Sequence, residues 1–115
     1  MPISQMKVET KPYKADEFIS STRLFLRTIR KKRGCHNFNM YRDSENENAF
    51  IAVGEWKTHE AMEKYFHSKE FKLIRGAAKV LGETFSMNIA EVSKTGGIEL
   101  AREQIASKQK SLVAD

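Results

Sequence analysis

Scarcity sets the first limits on this chain. Its 115 residues include one cysteine, two prolines, one tryptophan and six glycines. The single thiol, Cys35, excludes an internal disulfide framework and a zinc site built from several cysteines. It fits a reducing compartment. No apolar run approaches the roughly 18 residues needed to cross a bilayer. The opening Met1–Gln5 lacks a charged segment followed by an apolar one, the mark of a secretory signal. The expectation is a cytoplasmic protein without a membrane partner. The chain is also too short for two full-size domains, since about 100–200 residues make one. It carries no fixed-period repeat, no low-complexity tract, and no GxGxxG, P-loop or HExxH signature.

Acids are the scarcer charge, 15 against 20 Lys and Arg, for a net charge of +5. A basic balance raises the question of nucleic acid. The excess is local, however: Arg23, Arg27, Arg30, Lys31, Lys32 and Arg33 fall within residues 23–33 with no acid among them, whereas Asp43, Glu45, Glu47, Glu55, Glu60 and Glu63 dominate the middle. Aromatic residues do not interleave with that run as they do on an RNA-stacking platform, so nucleic acid is not an expected partner. The run reads instead as the end of a helix whose first turn carries Asp16 and Glu17, a distribution the helix dipole favours.

What is present is enough for one core: 40% of residues are hydrophobic and 30% charged. Residues 3–10 read as a strand with Met6, Val8 and Thr10 on one face. Pro12 ends it. A helix from about Ala15 to Lys32 places Phe18, Thr22, Phe25 and Ile29 on one stripe, widened by Ile19 and Leu26, and Gly34 is its stop. Cys35–Arg42 alternates His36, Phe38 and Met40 against Asn37, Asn39 and Tyr41. A polar turn then leads to a returning strand, Phe50–Trp56. Thr58 and Ser68 read as N-caps of two helices, the first carrying Met62, Tyr65 and Phe66, the second Phe71, Ile74, Ala78 and Leu81. Gly82 ends the second, and Thr84–Val92 is a last strand with Phe85, Met87 and Ile89 on one face. Ser93–Gly97 reads as a linker to an amphipathic helix with Ile98, Ala101, Ile105 and Leu112 at helical spacing. The organisation is one domain over residues 1–92 and an appendage over 93–115.

This order is the ferredoxin-like, split βαβ plan of the α+β class: a four-stranded antiparallel sheet with helices on one face. The third strand is apolar on both faces, Phe50, Ala52 and Trp56 on one and Ile51 and Val53 on the other. A sheet covered on one side alternates apolar with polar residues. A second cover is therefore expected, the sheet of another copy, which makes the protein a homodimer.

Gly34-Cys35, Phe38, Tyr41-Arg42-Asp43, Phe50, Glu55-Trp56 and Ser68 to Phe71, with Lys11-Pro12-x-Lys14 ahead of the first helix, together resemble the antibiotic biosynthesis monooxygenase family over Met6–Val92. The resemblance implies a dimeric α/β barrel that oxidises a small quinol or polyphenolic aromatic substrate with O₂, with no cofactor and no metal. Relatives of the same fold also include haem-degrading enzymes, isomerases and proteins that only bind, so a dimeric small-molecule binding module and an isomerase on a small carbonyl compound stand beside the monooxygenase. The haem-degrading pattern needs a histidine where this chain has Arg75-Gly76-Ala77.

The resemblance singles out Trp56, whose counterpart ends the third strand and borders a pocket. Ala52 and Gly54 share its face and leave volume for a flat ring if Trp56 is a pocket wall; Trp56 reads equally as core. Tyr65 and Met62 are the helix candidates for lining the pocket, Met62 standing where an aromatic polar residue serves in some monooxygenase relatives. Where relatives often carry His, this chain has Tyr65 and Glu70, and a phenol with an ordinary pKa of about 10 is a weak base near neutrality. Asn37 and Asn39 share a face and can hydrogen-bond a substrate oxygen or face solvent, and the hairpin register decides which strand face meets the helices. His67 is the candidate base among three histidines, against a plain surface role; His36, His59 and His67 do not form a ligand set. Trp56, Tyr65 and His67 are thus the catalytic candidates, and Trp56, Tyr65, Asn37, Asn39 and Met62 the substrate-binding ones.

Overall fold

The computed structural model describes residues 1–114, with side chains through Ala106. The elements are β1 (Pro2–Thr10), α1 (Ala15–Arg30), β2 (Cys35–Arg42), β3 (Ala49–Trp56), α2 (His59–Phe66), α3 (Lys69–Leu81), β4 (Gly82–Glu91) and α4 (Ile98–Ala114). The four strands form one antiparallel sheet in the order β2-β3-β1-β4. This is the ferredoxin-like arrangement that the element order predicts.

Period-two alternation decides what each strand buries. In β1, Ser4, Met6, Val8 and Thr10 are buried; in β3, Phe50, Ala52, Gly54 and Trp56 are. The register pairs Met6 with Ala52 and Val8 with Phe50, so these residues share one face. α1 covers it with Phe18, Thr22 and Ile29, and α3 with Phe71, Ile74, Ala78 and Leu81. Both N-caps form as expected: Thr58 Oγ1 accepts from the Ala61 N–H at 3.1 Å and Ser68 Oγ from the Phe71 N–H at 3.2 Å.

Three local expectations are corrected. α1 ends at Arg30, with Lys31 as its C-cap, rather than at Lys32. Gly34 lies beyond it at φ +83°, where the chain turns into β2 and where any Cβ would meet Ala61 Cβ at 2.5 Å. His36 does not share a face with Phe38 and Met40. The β2–β3 register passes from Cys35↔Trp56 to Asn37↔Glu55, so His36 is the extra residue of a bulge and Cys35 turns to the helix side. β4 begins at Gly82, without the gap expected before Thr84, because Gly82 is itself the cap of α3.

Among the described residues no helix covers the other face of the sheet. Half-buried Ile3, Ile51 and Val53 lie there with exposed Tyr41, among polar neighbours. β4 adds a second unburied apolar strip. Phe85, Met87 and Ile89 pair with Val8, Met6 and Ser4 on the helix side but extend past the helices and stay exposed. In α4, Ile98 and Ile105 are exposed; the Leu112 side chain lies outside the described residues. Among the described residues, no helix is long and apolar enough to cross a membrane.

Candidate functional site

Trp56 and Tyr65 are brought together. α2 follows β3 after a two-residue turn, and its inward side places Met62 and Tyr65 over the end of that strand. The Tyr65 ring stacks on the Trp56 indole with centroids 4.9 Å apart, and Phe38 packs edge-on to Tyr65 at 5.3 Å. Phe66 and Phe71 extend the block. The Trp56 Nε1–H donates to Ser4 Oγ at 3.0 Å, which satisfies the one polar atom of the indole.

The space that a pocket-wall role for Trp56 requires beside the indole is filled. A Cβ on Gly54 would meet Ser4 Oγ and Trp56 Nε1 at 2.7 Å and Phe38 Cδ2 at 2.8 Å. Gly54 is small because Phe38 and the Trp56–Ser4 pair lean over it, not because a ligand does. Trp56 is 0% exposed, Tyr65 2% and Met62 3%. Burial pushes the Tyr65 phenol well above its ordinary pKa, and the neighbouring Cys35 thiol pushes it the same way. Tyr65 therefore stays a neutral phenol at physiological pH.

The remaining candidates lie apart from this block. Asn37 and Asn39 are on the uncovered side of β2, as their register with Glu55 and Val53 requires. Asn39 Nδ2 donates to Asn37 Oδ1 at 2.8 Å, and Arg30 reaches around the sheet edge to Phe38 O at 2.8 Å and Asn39 Oδ1 at 3.3 Å. His67 is exposed at the C-cap of α2. Glu70 pairs with Lys32 at 3.3 Å; its pKa is lowered by its own backbone N–H, with Lys32 adding to the effect.

Space opens elsewhere on the helix-facing side. Between α1 and the β2–β3 edge lies a cleft of about 180 Å³. α1 contributes Ile19, Thr22, Arg23 and Leu26; the sheet contributes Met40, Tyr41, Arg42 and Phe50. α1 has a wide apolar stripe, and the side of that stripe facing β2 is left half-covered. Thr22 Oγ1 donates to Phe18 O at 2.9 Å, so its proton is used within the helix. Arg42 Nε donates to Glu47 O at 2.7 Å, and its guanidinium carbon sits 5.3 Å from the Phe50 ring centroid. Among the described residues no carboxylate lines the cleft. It is an apolar slot with two guanidinium groups, which suits a flat ring bearing negative charge.

This cleft is not evident in the sequence, where Arg23 reads as part of the basic end of a helix and Arg42 as part of a family motif. The available signal was that Arg23 follows Ile19 by one turn on α1, while Arg42 alternates with Met40 along β2.

Two other hollows are less suited to a small aromatic molecule. One of about 410 Å³ on the uncovered sheet face mixes Lys7, Glu9 and Asp43 around Ile51. Another of about 490 Å³ lies among Arg33, Lys57, Glu60 and Lys64, so charged side chains make up most of its rim.

Residues 1–77 match the model of the family described as antibiotic biosynthesis monooxygenase. An uncharacterized protein of Synechocystis sp. is 24% identical over 89 residues, 76% of this chain and 60% of that protein. The chain thus spans about 60% of the length of that curated relative. Among solved structures, a Nitrosomonas europaea protein ascribed to the same family superposes with TM-score 0.76 at 15% identity, covering 82% of this chain and 100% of the other. SnoaB, a cofactor-independent oxygenase from Streptomyces nogalater, superposes with TM-score 0.69 at 17% identity, covering 82% of this chain and 95% of its own. A conserved Methanosarcina mazei protein gives 0.73 at 24% identity over 79% of this chain and 92% of its own.

Proposed function

Because the chain belongs to the antibiotic biosynthesis monooxygenase family, we propose that it is a cofactor-independent monooxygenase acting on a small quinol or polyphenolic ring held in the cleft between α1 and the sheet. The observation that carries this reading is the cleft: an apolar slot of about 180 Å³, bordered by Arg23 and Arg42 and free of carboxylates. SnoaB, a cofactor-independent oxygenase that shares the fold, supports the cofactor-free part of the reading.

The chemistry balances without an external reductant. A quinol that loses a proton becomes an electron-rich anion, and a ring carbon forms a bond to O₂. The resulting peroxide is protonated, its O–O bond breaks, and water leaves as the carbon becomes a carbonyl. One oxygen atom enters the ring, the other becomes water, and the ring supplies all the electrons. The protein's part is to hold the ring and to stabilise negative charge on the phenolate and then on the peroxide. Arg23 and Arg42 are the donors in position for it. No carboxylate or imidazole lines the cleft, so the first proton passes to water at the open mouth. Tyr65 and Trp56 act from a distance, as the packed block that fixes β3 and α2.

The uncovered sheet face fits a second copy. Ile3, Ile51 and Val53 lie on it without a cover from their own chain, and burying apolar surface of this kind is worth about 25 cal/mol per Å². The α1 cleft is on the opposite side, so it stays open in such a homodimer. Sedimentation is expected to give the mass of two chains, reduced to one by Ile51→Asp with Val53→Asp; a single-chain mass for the parent protein contradicts the pairing.

The oxygenase reading is tested with 1,4-dihydroxy-2-methylnaphthalene under ¹⁸O₂. It predicts a hydroxyquinone product carrying one labelled ring oxygen. Spontaneous autoxidation gives the unlabelled quinone, and that outcome at all protein concentrations rejects the reading. The missing base in the cleft favours one other reading, a module that binds such rings without turning them over. Recovery of unmodified ligand from a stable complex would support it.

A further inference from the structure

The cleft is positively charged before a bound quinol carries any charge of its own. A phenol has an ordinary pKa near 10 and enters a site neutral at pH 7. Yet Arg23 comes to the cleft from α1 and Arg42 from β2, and no acid lines it to offset them. Among the described residues neither arginine forms an ion pair: Arg42 spends only its Nε–H, on Glu47 O, and Arg23 is exposed. The contrast with other cations is informative. Lys14, Lys32, Lys64 and Arg102 all face carboxylates, and the hollow on the uncovered sheet face sets Lys7 beside Glu9 and Asp43, with Arg42 at the strand edge between that hollow and the cleft. In the α1 cleft the two cations border apolar surface instead: Met40, Phe50, Ile19 and Leu26. Low-dielectric walls around one sign of charge concentrate the field there. A guanidinium presents its N–H groups as a planar fork, which matches a carboxylate in two-point fashion.

We infer that the cleft selects an aromatic ring that carries its own carboxylate, such as a hydroxynaphthoate, with Arg23 and Arg42 as its specificity-determining residues. The apolar surface takes the ring, and the guanidinium groups take the carboxylate and orient the hydroxyl-bearing edge. This rests on the cleft as the ligand site but does not depend on turnover. A neutral ring of the same shape loses the charged contact, and its binding falls with it.

The experiment is equilibrium binding, by calorimetry under nitrogen, of 1-hydroxy-2-naphthoate and of the neutral 1-naphthol to the full chain. The expected result is at least 10-fold tighter binding of the carboxylate. Arg23→Gln and Arg42→Gln should each reduce its affinity 10-fold or more and change that of 1-naphthol less than 3-fold. Arg27→Gln removes the same charge one turn beyond Arg23, outside the cleft lining, and is expected to alter neither more than 2-fold. Equal binding of the two ligands overturns the inference while leaving the oxygenase reading intact. So does a carboxylate preference lost equally in Arg27→Gln, which assigns it to net charge. Failure of both ligands to bind removes the inference and the cleft reading together. Selective, Arg-dependent binding with no ¹⁸O incorporation from ¹⁸O₂ upholds the inference and rejects the oxygenase reading.

Discussion

At one end of the seam between helices and sheet, Trp56, Tyr65 and Phe38 interlock with no space left over; about 20 Å away along β3, six residues back at Phe50, the seam opens into a cleft. The two ends are built from similar materials, an aromatic residue on β3, an apolar residue on β2 and a helix above. They differ in how many elements converge. α2 drops Met62 and Tyr65 onto the Trp56 end, and Gly54 lets Phe38 and Ser4 close in below. At the Phe50 end α1 faces the β2 edge with Ile19, Leu26 and Arg23 and nothing fills the gap. One end holds the fold together; the other has room for a ligand. An aromatic residue that a family pattern marks as a pocket wall is thus, in this chain, part of the closed wall of another region.

Substitutions separate the two ends by what they damage. The largest loss should come from Trp56→Ala, which empties a fully buried indole site and strips Ser4 Oγ of its donor. Such truncations cost about 3–5 kcal/mol, read as a lowered midpoint in urea unfolding. Gly54→Ala pushes a methyl into Ser4, Trp56 and Phe38 and should cost about 1–3 kcal/mol. If Gly54→Ala is neutral, the Trp56 end has slack that the packing denies.

Tyr65 gives the same region a pH signature. Its folded phenol is held above its ordinary pKa by burial and then by Cys35. Above pH 10 the unfolded chain loses that proton while the folded chain keeps it, so the unfolded state binds fewer protons and stability falls as pH rises. The loss is full-sized only above the unfolded value of about 10, at up to about 1.4 kcal/mol per pH unit, and is absent below it. Tyr65→Phe should flatten this alkaline decline in unfolding experiments between pH 9 and 11. An unchanged slope would show that the phenol is not the group responsible.

At the open end the expected stability change is smallest and the binding change largest. Met40→Trp places an indole in the half-buried cleft and should shift unfolding by less than about 1 kcal/mol. It should weaken 1-hydroxy-2-naphthoate at least 10-fold in the same calorimetric assay. Retained affinity with a filled cleft would move the ligand site elsewhere.

Much of this architecture was legible from residue order. The alternation of β1 and β3, helix periodicity, the Thr58 and Ser68 caps and the inward stripes of α1 and α3 depend on local chemistry and pattern, and all appear as read. The family resemblance and the fold were legible for the same reason, because the spacing of Gly34, Trp56 and Phe71 reflects the element order. What stayed hidden depends on register and on convergence. The bulge at His36 reverses which β2 residues meet Trp56, and no period-two pattern announces a one-residue insertion. Whether Gly54 makes a hole or admits a neighbour depends on Phe38 and Ser4, which come from two other strands. Arg23 and Arg42 stand far apart in sequence, and each had a sufficient local explanation until the fold set them on one cleft.

The most direct test of the two-ended picture is a ¹⁵N–¹H shift map during titration with 1-hydroxy-2-naphthoate. The moving amides should cluster on Ile19–Leu26, Met40–Arg42 and Phe50, with Trp56, Met62 and Tyr65 near their starting positions. Shifts concentrated on Trp56, Met62 and Tyr65, with the α1 cleft silent, would contradict it.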